Sequence, residues 1–153
     1  MHSIKKITML GLALLTGTLV MAQSGKQVKW TYSSKKVADK TYEVHMTANI
    51  GAGWHMYAQE AGEGPISTKF TFTKNPLVAF NNKTKEAGKM VKKYEDAFKS
   101  QVRYYENTVD FVQLVKVKSN AKTAVTGKVE FMVCNDHECL PPDETDFKVN
   151  VGG

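Results

Sequence analysis

The sequence predicts an all-β protein, an immunoglobulin-like β-sandwich built as a single domain. Three observations carry that prediction. Apolar and polar residues alternate in at least six separate runs, the mark of strands with one buried face. Clusters of Gly, Asn, Pro and Ser separate the runs, at Gly51-Ala52-Gly53, Gly62 to Pro65, Asn75-Pro76, Asn81-Asn82 and Ser119-Asn120. No long stretch carries a convincing helical period. Seven or more short strands with regular turns fit two packed antiparallel sheets, although a small barrel has a similar pattern.

The first residues stand outside that pattern. Lys5 and Lys6 precede a run, Ile7 to Met21, that is apolar apart from three threonines and small glycines, and Val20-Met21-Ala22 supplies the small residues of a cleavage site. This is the layout of a secretory signal peptide spanning residues 1–22, cut before Gln23. The apolar run is short of the ~20 residues of a membrane span, and no later segment is more apolar. The expected mature protein, 23–153, is therefore soluble, exported and without membrane insertion.

The strands follow in order. Val28, Trp30 and Tyr32 alternate with polar neighbours, and Tyr42, Val44, Met46, Ala48 and Ile50 do so over a longer run. Trp54, Met56 and Tyr57 form an aromatic patch that reads as sandwich core, with His55 a surface or internally satisfied histidine. Phe70 and Phe72 flank Thr71. Lys83 to Ser100 is lysine-rich with little to bury, and reads as an extended or loop segment with one helical turn at most. Tyr104-Tyr105 is expected to split, one ring inward and one outward. Val109, Phe111, Val115 and Val117 share a face, as do Val129, Phe131 and Val133, and Phe147, Val149 and Val151 close the chain.

Charge excludes one class of function. The formal net charge of +6 falls to about +4 without the leader, and the lysines lie scattered among acidic residues. A nucleic-acid binder clusters its charge and interleaves stacking aromatics, so no nucleic-acid partner is expected.

The chemistry concentrates in Cys134-Asn135-Asp136-His137-Glu138-Cys139-Leu140-Pro141-Pro142. Alternation puts Cys134 on the face opposite Val129, Phe131 and Val133, nearer solvent or a covering loop. The two prolines fix φ and bias Leu140 towards extended backbone. A disulfide closing so short a loop stabilises by only about 2 kcal/mol, whereas thiols held this close suit reversible exchange. His137 would favour a thiolate when protonated, with Asp136 and Glu138 opposing it. Spacing alone leaves redox work and a structural staple both open. Cys134, His137 and Cys139 with Met132 also offer metal donors, as do the His45-Met46 and His55-Met56 pairs. A closed zinc site needs four ligands at tighter paired spacings, soft sulfur donors would suit Cu(I) better, and core methionines and surface histidines explain these pairs more simply; no metal or cofactor is expected, and a metal binder stands as the third reading.

The stretch V-E-F-M-V-C-N-D-H-E-C-L-P-P resembles the N-terminal periplasmic domain of the thiol:disulfide interchange protein DsbD. G-W-H-M-Y-A-Q (Gly53 to Gln59), G-P-I-S-T-K-F-T-F (Gly64 to Phe72) and Tyr94-Glu95-Asp96-Ala97-Phe98 agree with it, so the similarity spans the mature chain. The resemblance implies an immunoglobulin-like domain whose exchanging thiols are Cys134 and Cys139, with Cys139 attacking and Cys134 resolving. It implies a loop carrying Phe98 that caps the disulfide, with Glu95 and Asp96 as acidic neighbours. It also implies thioredoxin-like periplasmic disulfide proteins as partners. Membrane helices and a thioredoxin-like module are absent from the sequence, so the electron donor is expected to be a separate membrane or thioredoxin-like protein. Ala97 and Lys99 stand where the family carries acidic and aromatic cap residues. The alternative class is an exported interaction module whose disulfide pins a hairpin.

Overall fold

A computed structural model describes residues 24–153; the signal-peptide expectation lies outside them. A four-residue helix α1 (Ser24–Gln27) leads into nine strands: β1 (Val28–Ala38), β2 (Thr41–Ile50), β3 (His55–Tyr57), β4 (Lys69–Phe72), β5 (Val78–Glu95), β6 (Ser100–Val117), β7 (Thr123–Phe131), β8 (Val133–Cys134) and β9 (Asp143–Val151). They form two antiparallel sheets, the larger in the order β1-β2-β6-β3-β8 with β5 on the other edge of β6, the smaller in the order β4-β7-β9. The fold is the immunoglobulin-like sandwich that the alternation predicts.

Period two explains the core. Val44, Met46 and Ala48 of β2 and Val109, Phe111 and Val115 of β6 are fully buried, and they face Val125, Val129 and Phe131 of β7 and Phe147 of β9. Trp30 of β1 spans the two sheets, with its ring centroid 6.1 Å from Phe70, 5.9 Å from Phe111 and 5.6 Å from Phe131. One polar residue interrupts the core face of β6. Gln113 is buried, and its Nε2 donates to the carbonyls of Asn81 (3.1 Å) and Leu114 (3.0 Å) while its Oε1 accepts from Thr84 Oγ1 at 2.8 Å. These bonds meet the demand that buried polar groups be paired.

The same stretch of β5 corrects one expectation and agrees with another. Asn81-Asn82 is not a turn between strands but an irregularity within β5, where the register against β6 shifts between Asn81 and Lys85. Asn82, at φ 65°, takes the left-handed backbone that asparagine tolerates. The lysine-rich segment beyond it stays in β5 to Glu95 and contains no helical turn. It has few apolar residues because β5 is an edge strand, and exposed lysines discourage pairing with other chains.

A second irregularity shapes the end of the molecule that carries the cysteine hairpin. Thr108 pairs with Asn49 of β2, and Glu106 pairs with His55 of β3; Asn107 between them has φ 62°. Along the other edge the register shifts between Gly88 and Met90. Bulges bend and re-aim a strand, and here β6 changes partner from β2 to β3. On the opposite side of the sandwich the chain leaves β7 at Phe131, crosses through Met132 and joins β3 as β8. The large sheet at this end is buried on both faces. All three residues of β3 are buried, which explains the absence of alternation there.

Candidate functional site: a half-buried disulfide beneath an aromatic cap

Cys134 and Cys139 face each other across a tight hairpin and are joined by a disulfide. Asn135 N–H donates to the Glu138 carbonyl at 2.9 Å and Leu140 N–H to the Val133 carbonyl at 3.0 Å. The cysteines between these pairs form a non-hydrogen-bonded pair, the type in which opposing Cα atoms approach most closely; here they are 4.0 Å apart. The Asn135 side chain closes the turn, its Oδ1 accepting from the N–H groups of His137 and Glu138, each at 2.8 Å. Pro141 and Pro142 follow at once and supply no N–H to extend the ladder.

The two sulfurs differ in access. Cys139 is exposed, whereas Cys134 is 2% exposed and belongs to a second apolar cluster with Tyr57, Ala61, Val102 and Tyr104. Cys134 does lie on the face opposite Val133's neighbours in the core. That face is covered, because the loop from Ala58 to Thr68 folds back over it. Arg103 N–H donates to the Ala61 carbonyl at 2.8 Å, and Thr68 N–H to the Ala58 carbonyl at 3.1 Å.

Phe98 completes the cover. It sits in the turn between β5 and β6, which Lys99 closes at φ 53°. Its ring meets Tyr57 edge to face at 5.9 Å and packs on the cluster that contains Cys134. Gly64 presses on it from the other side: a Cβ at that residue would lie 2.6 Å from Phe98 Cδ1. Glu95 turns inward, its side chain 14% exposed. Asp96 turns out, 90% exposed and beside Lys99. Ala97 and the cysteine turn bound a cleft of about 360 Å³ whose rim carries Glu95, Asp96, Asp136 and Glu138 against Lys93 and His137. The site is thus acidic within a basic chain.

Beneath the cap lies a polar network centred on Tyr57. Its hydroxyl donates to Glu95 Oε2 at 2.9 Å and lies 3.3 Å from both Cys134 Sγ and His55 Nε2. His55 Nε2 is 3.5 Å from Glu95 Oε1, and its ring packs on Tyr104 at a centroid distance of 4.2 Å. Burial, then the hydrogen bond and charge of Glu95, raise the Tyr57 hydroxyl far above the ordinary tyrosine range, so it stays protonated. Burial lowers the His55 imidazole below its ordinary value, against the opposing pull of Glu95, Glu106 and Asp136.

Of the residues expected from sequence, the fold brings together Cys134, Cys139, Glu95 and Phe98, and leaves Asp96 at the rim. His137 is exposed on the turn, and its imidazole makes no hydrogen bond or ion pair to another described residue. The buried histidine near the sulfur is His55, paired in register with Cys134. His55 and Tyr57 were expected as a satisfied or surface histidine and as core; they belong to the site. Tyr104 and Tyr105 do point to opposite faces, but both are buried, Tyr105 in the main core and Tyr104 beside Cys134. The one sequence signal for this network is spacing: residues i and i+2 of a strand share a face, which aligns two rings with polar tips on either side of Met56. Among the described residues no group of three or more His, Cys, Asp or Glu is arranged to hold a metal ion.

Fold and site together define a class: immunoglobulin-like domains that carry one disulfide, half exposed, at the end of the sandwich. The family described as thiol:disulfide interchange protein DsbD, N-terminal, matches residues 22–151, and the chain belongs to it. The N-terminal domain of Neisseria meningitidis DsbD in its reduced form is similar in fold, with a TM-score of 0.52 at 16% identity over 88% of this chain and 92% of that one. The N-terminal periplasmic domain of ScsB from Proteus mirabilis has the same TM-score and identity over 81% of this chain, which spans 44% of the ScsB chain. No curated protein sequence matches this one.

Proposed function

We propose that this protein is a periplasmic thiol–disulfide exchange domain that passes electrons to partner proteins through Cys134 and Cys139. The observation that carries the reading is the unequal burial of one disulfide: Cys139 is exposed, and Cys134 lies beneath Phe98 and Tyr57. A staple has no need of such a difference. An exchanging pair does, because one sulfur must meet the partner and the other must be kept for resolution. In the reduced domain the Cys139 thiolate attacks the partner's disulfide, forming a mixed disulfide and releasing one partner thiolate, which takes a proton. Cys134 then attacks Cys139 Sγ, the Cys134–Cys139 bond forms, and the partner leaves with both sulfurs reduced.

Family membership supports this chemistry, and the periplasmic domain of ScsB supports the compartment. On this reading residues 1–22 are a cleaved signal peptide, and residues 23–153 fold as one domain. The partners are thioredoxin-like disulfide proteins, and a separate membrane or thioredoxin-like protein returns the electrons. Phe98 acts as a cap that shields the bond until a partner displaces it, with Glu95 and Asp96 flanking that movement.

The test is the reduction potential, measured by equilibrating the protein in glutathione buffers and counting alkylated thiols by mass. A midpoint between roughly −180 and −270 mV is expected for an exchanging dithiol. A bond that resists reduction below about −300 mV would instead be a structural staple, and the interaction module would replace the exchange reading.

A further inference from the structure

Resolution by Cys134 raises a problem of proton supply. A thiol, not a thiolate, is the ordinary form of a cysteine near neutral pH, and apolar burial favours it further. Cys134 is buried among Tyr57, Ala61, Val102 and Tyr104, so water does not take its proton directly. Among the described residues, the hydroxyl bonded to its sulfur is that of Tyr57, 3.3 Å away, and that same hydroxyl is 3.3 Å from His55 Nε2. Glu95 lies 3.5 Å beyond, at the same imidazole nitrogen. Sulfur, hydroxyl and imidazole are in successive contact, as where a nucleophile is served by a base, here with a tyrosine interposed and the Glu95 carboxylate beside both the hydroxyl, at 2.9 Å, and the accepting nitrogen.

We infer that His55 accepts the proton of Cys134 through the Tyr57 hydroxyl during the resolving step, and that Glu95 holds the imidazolium so formed. The inference rests on the exchange reading and adds to it the route by which the buried sulfur is activated. As the Cys134 S–H bond breaks, its proton passes to the Tyr57 oxygen while the Tyr57 proton, turned from Glu95 Oε2 towards the imidazole, passes to His55 Nε2. The thiolate attacks Cys139 Sγ, the Cys134–Cys139 bond forms, and the Cys139–partner bond breaks with its electron pair on the partner's thiolate. The imidazolium then gives its proton to that thiolate or to water. Tyr57 ends with the proton count it began with.

Imidazole suits the task better than the neighbouring carboxylate. Carboxylates ordinarily titrate about two units below imidazoles, and proton transfer is most effective when the acceptor lies near the working pH. Burial keeps His55 neutral at pH 7 and so ready to accept. The charged and titratable groups around it are Glu95 and Lys93 of β5, Tyr104 and Glu106 of β6, Tyr57 of its own strand, Cys134 of β8 and Asp136 of the turn. Three of these are acidic and one is a lysine, a surrounding that favours the imidazolium once it forms.

The experiment is a two-phase reaction of the reduced protein with dithionitrobenzoate, followed by stopped-flow absorbance. Attack by Cys139 releases the first thionitrobenzoate, and closure by Cys134 releases the second. In the native protein the second phase is expected to be flat with pH between about 6.5 and about 8, and to fall below that range. In His55→Gln it should slow by about 100-fold at neutral pH and climb about tenfold per pH unit, as direct thiol ionisation requires. Tyr57→Phe should behave alike, and the double variant should be no slower than either single one. The first phase should stay within about twofold, since Cys139 is exposed on the turn, outside the buried network. A second phase that keeps its plateau in His55→Gln, slowed or not, overturns the inference. Failure of native protein to release any thionitrobenzoate would remove the exchange reading itself.

Discussion

At the scale of single residues, His55 shows how a buried network ties the site to stability. Desolvation is the largest influence on its imidazole and lowers its affinity for protons. The ordinary value is about 6.5, so above that pH the imidazole is neutral in both the folded and the unfolded chain and contributes no slope. As pH falls through 6.5 the unfolded chain takes up the proton first, and stability is lost until the folded-state value is passed. His55→Gln removes this contribution. Denaturant midpoints of native and variant protein should therefore converge as pH is lowered from about 7 towards about 5, because only the native chain loses this share. A difference in midpoint that stays constant over that range would mean that the imidazole is not desolvated in the folded state.

At the scale of elements, the position of Phe98 depends on the loop from Ala58 to Thr68. Gly64 adopts φ +105°, and a Cβ there would meet Phe98 at 2.6–2.8 Å; Gly62, also at φ +105°, would press a Cβ to 2.4 Å from the Gln101 carbonyl oxygen. The loop and the β5–β6 turn are fitted to each other through these two glycines. Gly64→Ala should cost about 1–3 kcal/mol from backbone strain, and it should push Phe98 off the second cluster. Reduction of the disulfide by glutathione, followed by alkylation and mass, should become severalfold faster in the variant. An unchanged rate in a folded variant would show that Phe98 does not limit access. This coupling was illegible in the sequence for a physical reason. Strands with one wet face announce themselves, so β2, β6, β7 and β9 could be read from Tyr42–Ile50, Val109–Val117, Val129–Phe131 and Phe147–Val151. β3 could not, since His55, Met56 and Tyr57 are all buried and leave no alternation. The cysteines were legible as a pair because they are five residues apart. Glu95 stands 38 residues from Tyr57 and Cys134 stands 77 from it, distances that only the partner change within β6 and the crossing at Met132 bring together.

At the scale of the molecule, an exchanging domain must be folded in both redox states, and the architecture separates the bond from what holds the fold. The main core lies between the sheets, where Trp30, Phe111, Phe131 and Phe147 meet, and both cysteines lie outside it. The disulfide joins residues 5 apart within one hairpin. Constraining so short a loop removes little entropy from the unfolded chain, about 2 kcal/mol, against the roughly 5–15 kcal/mol typical of a folded domain. The hairpin has other supports: the paired backbone of Asn135 with Glu138 and of Val133 with Leu140, and the Asn135 side chain across the turn. Replacing Cys134 and Cys139 together with serine should therefore lower the stability by about 2 kcal/mol and leave the near-ultraviolet circular dichroism of the tryptophan and tyrosine core unchanged. Reduction of the native protein should have the same effect, within the accuracy of a denaturant titration. Unfolding of the double variant, or a loss of more than about 4 kcal/mol, would show that the bond supports the core after all, which is the behaviour of a staple and not of a pair that opens and closes with each partner.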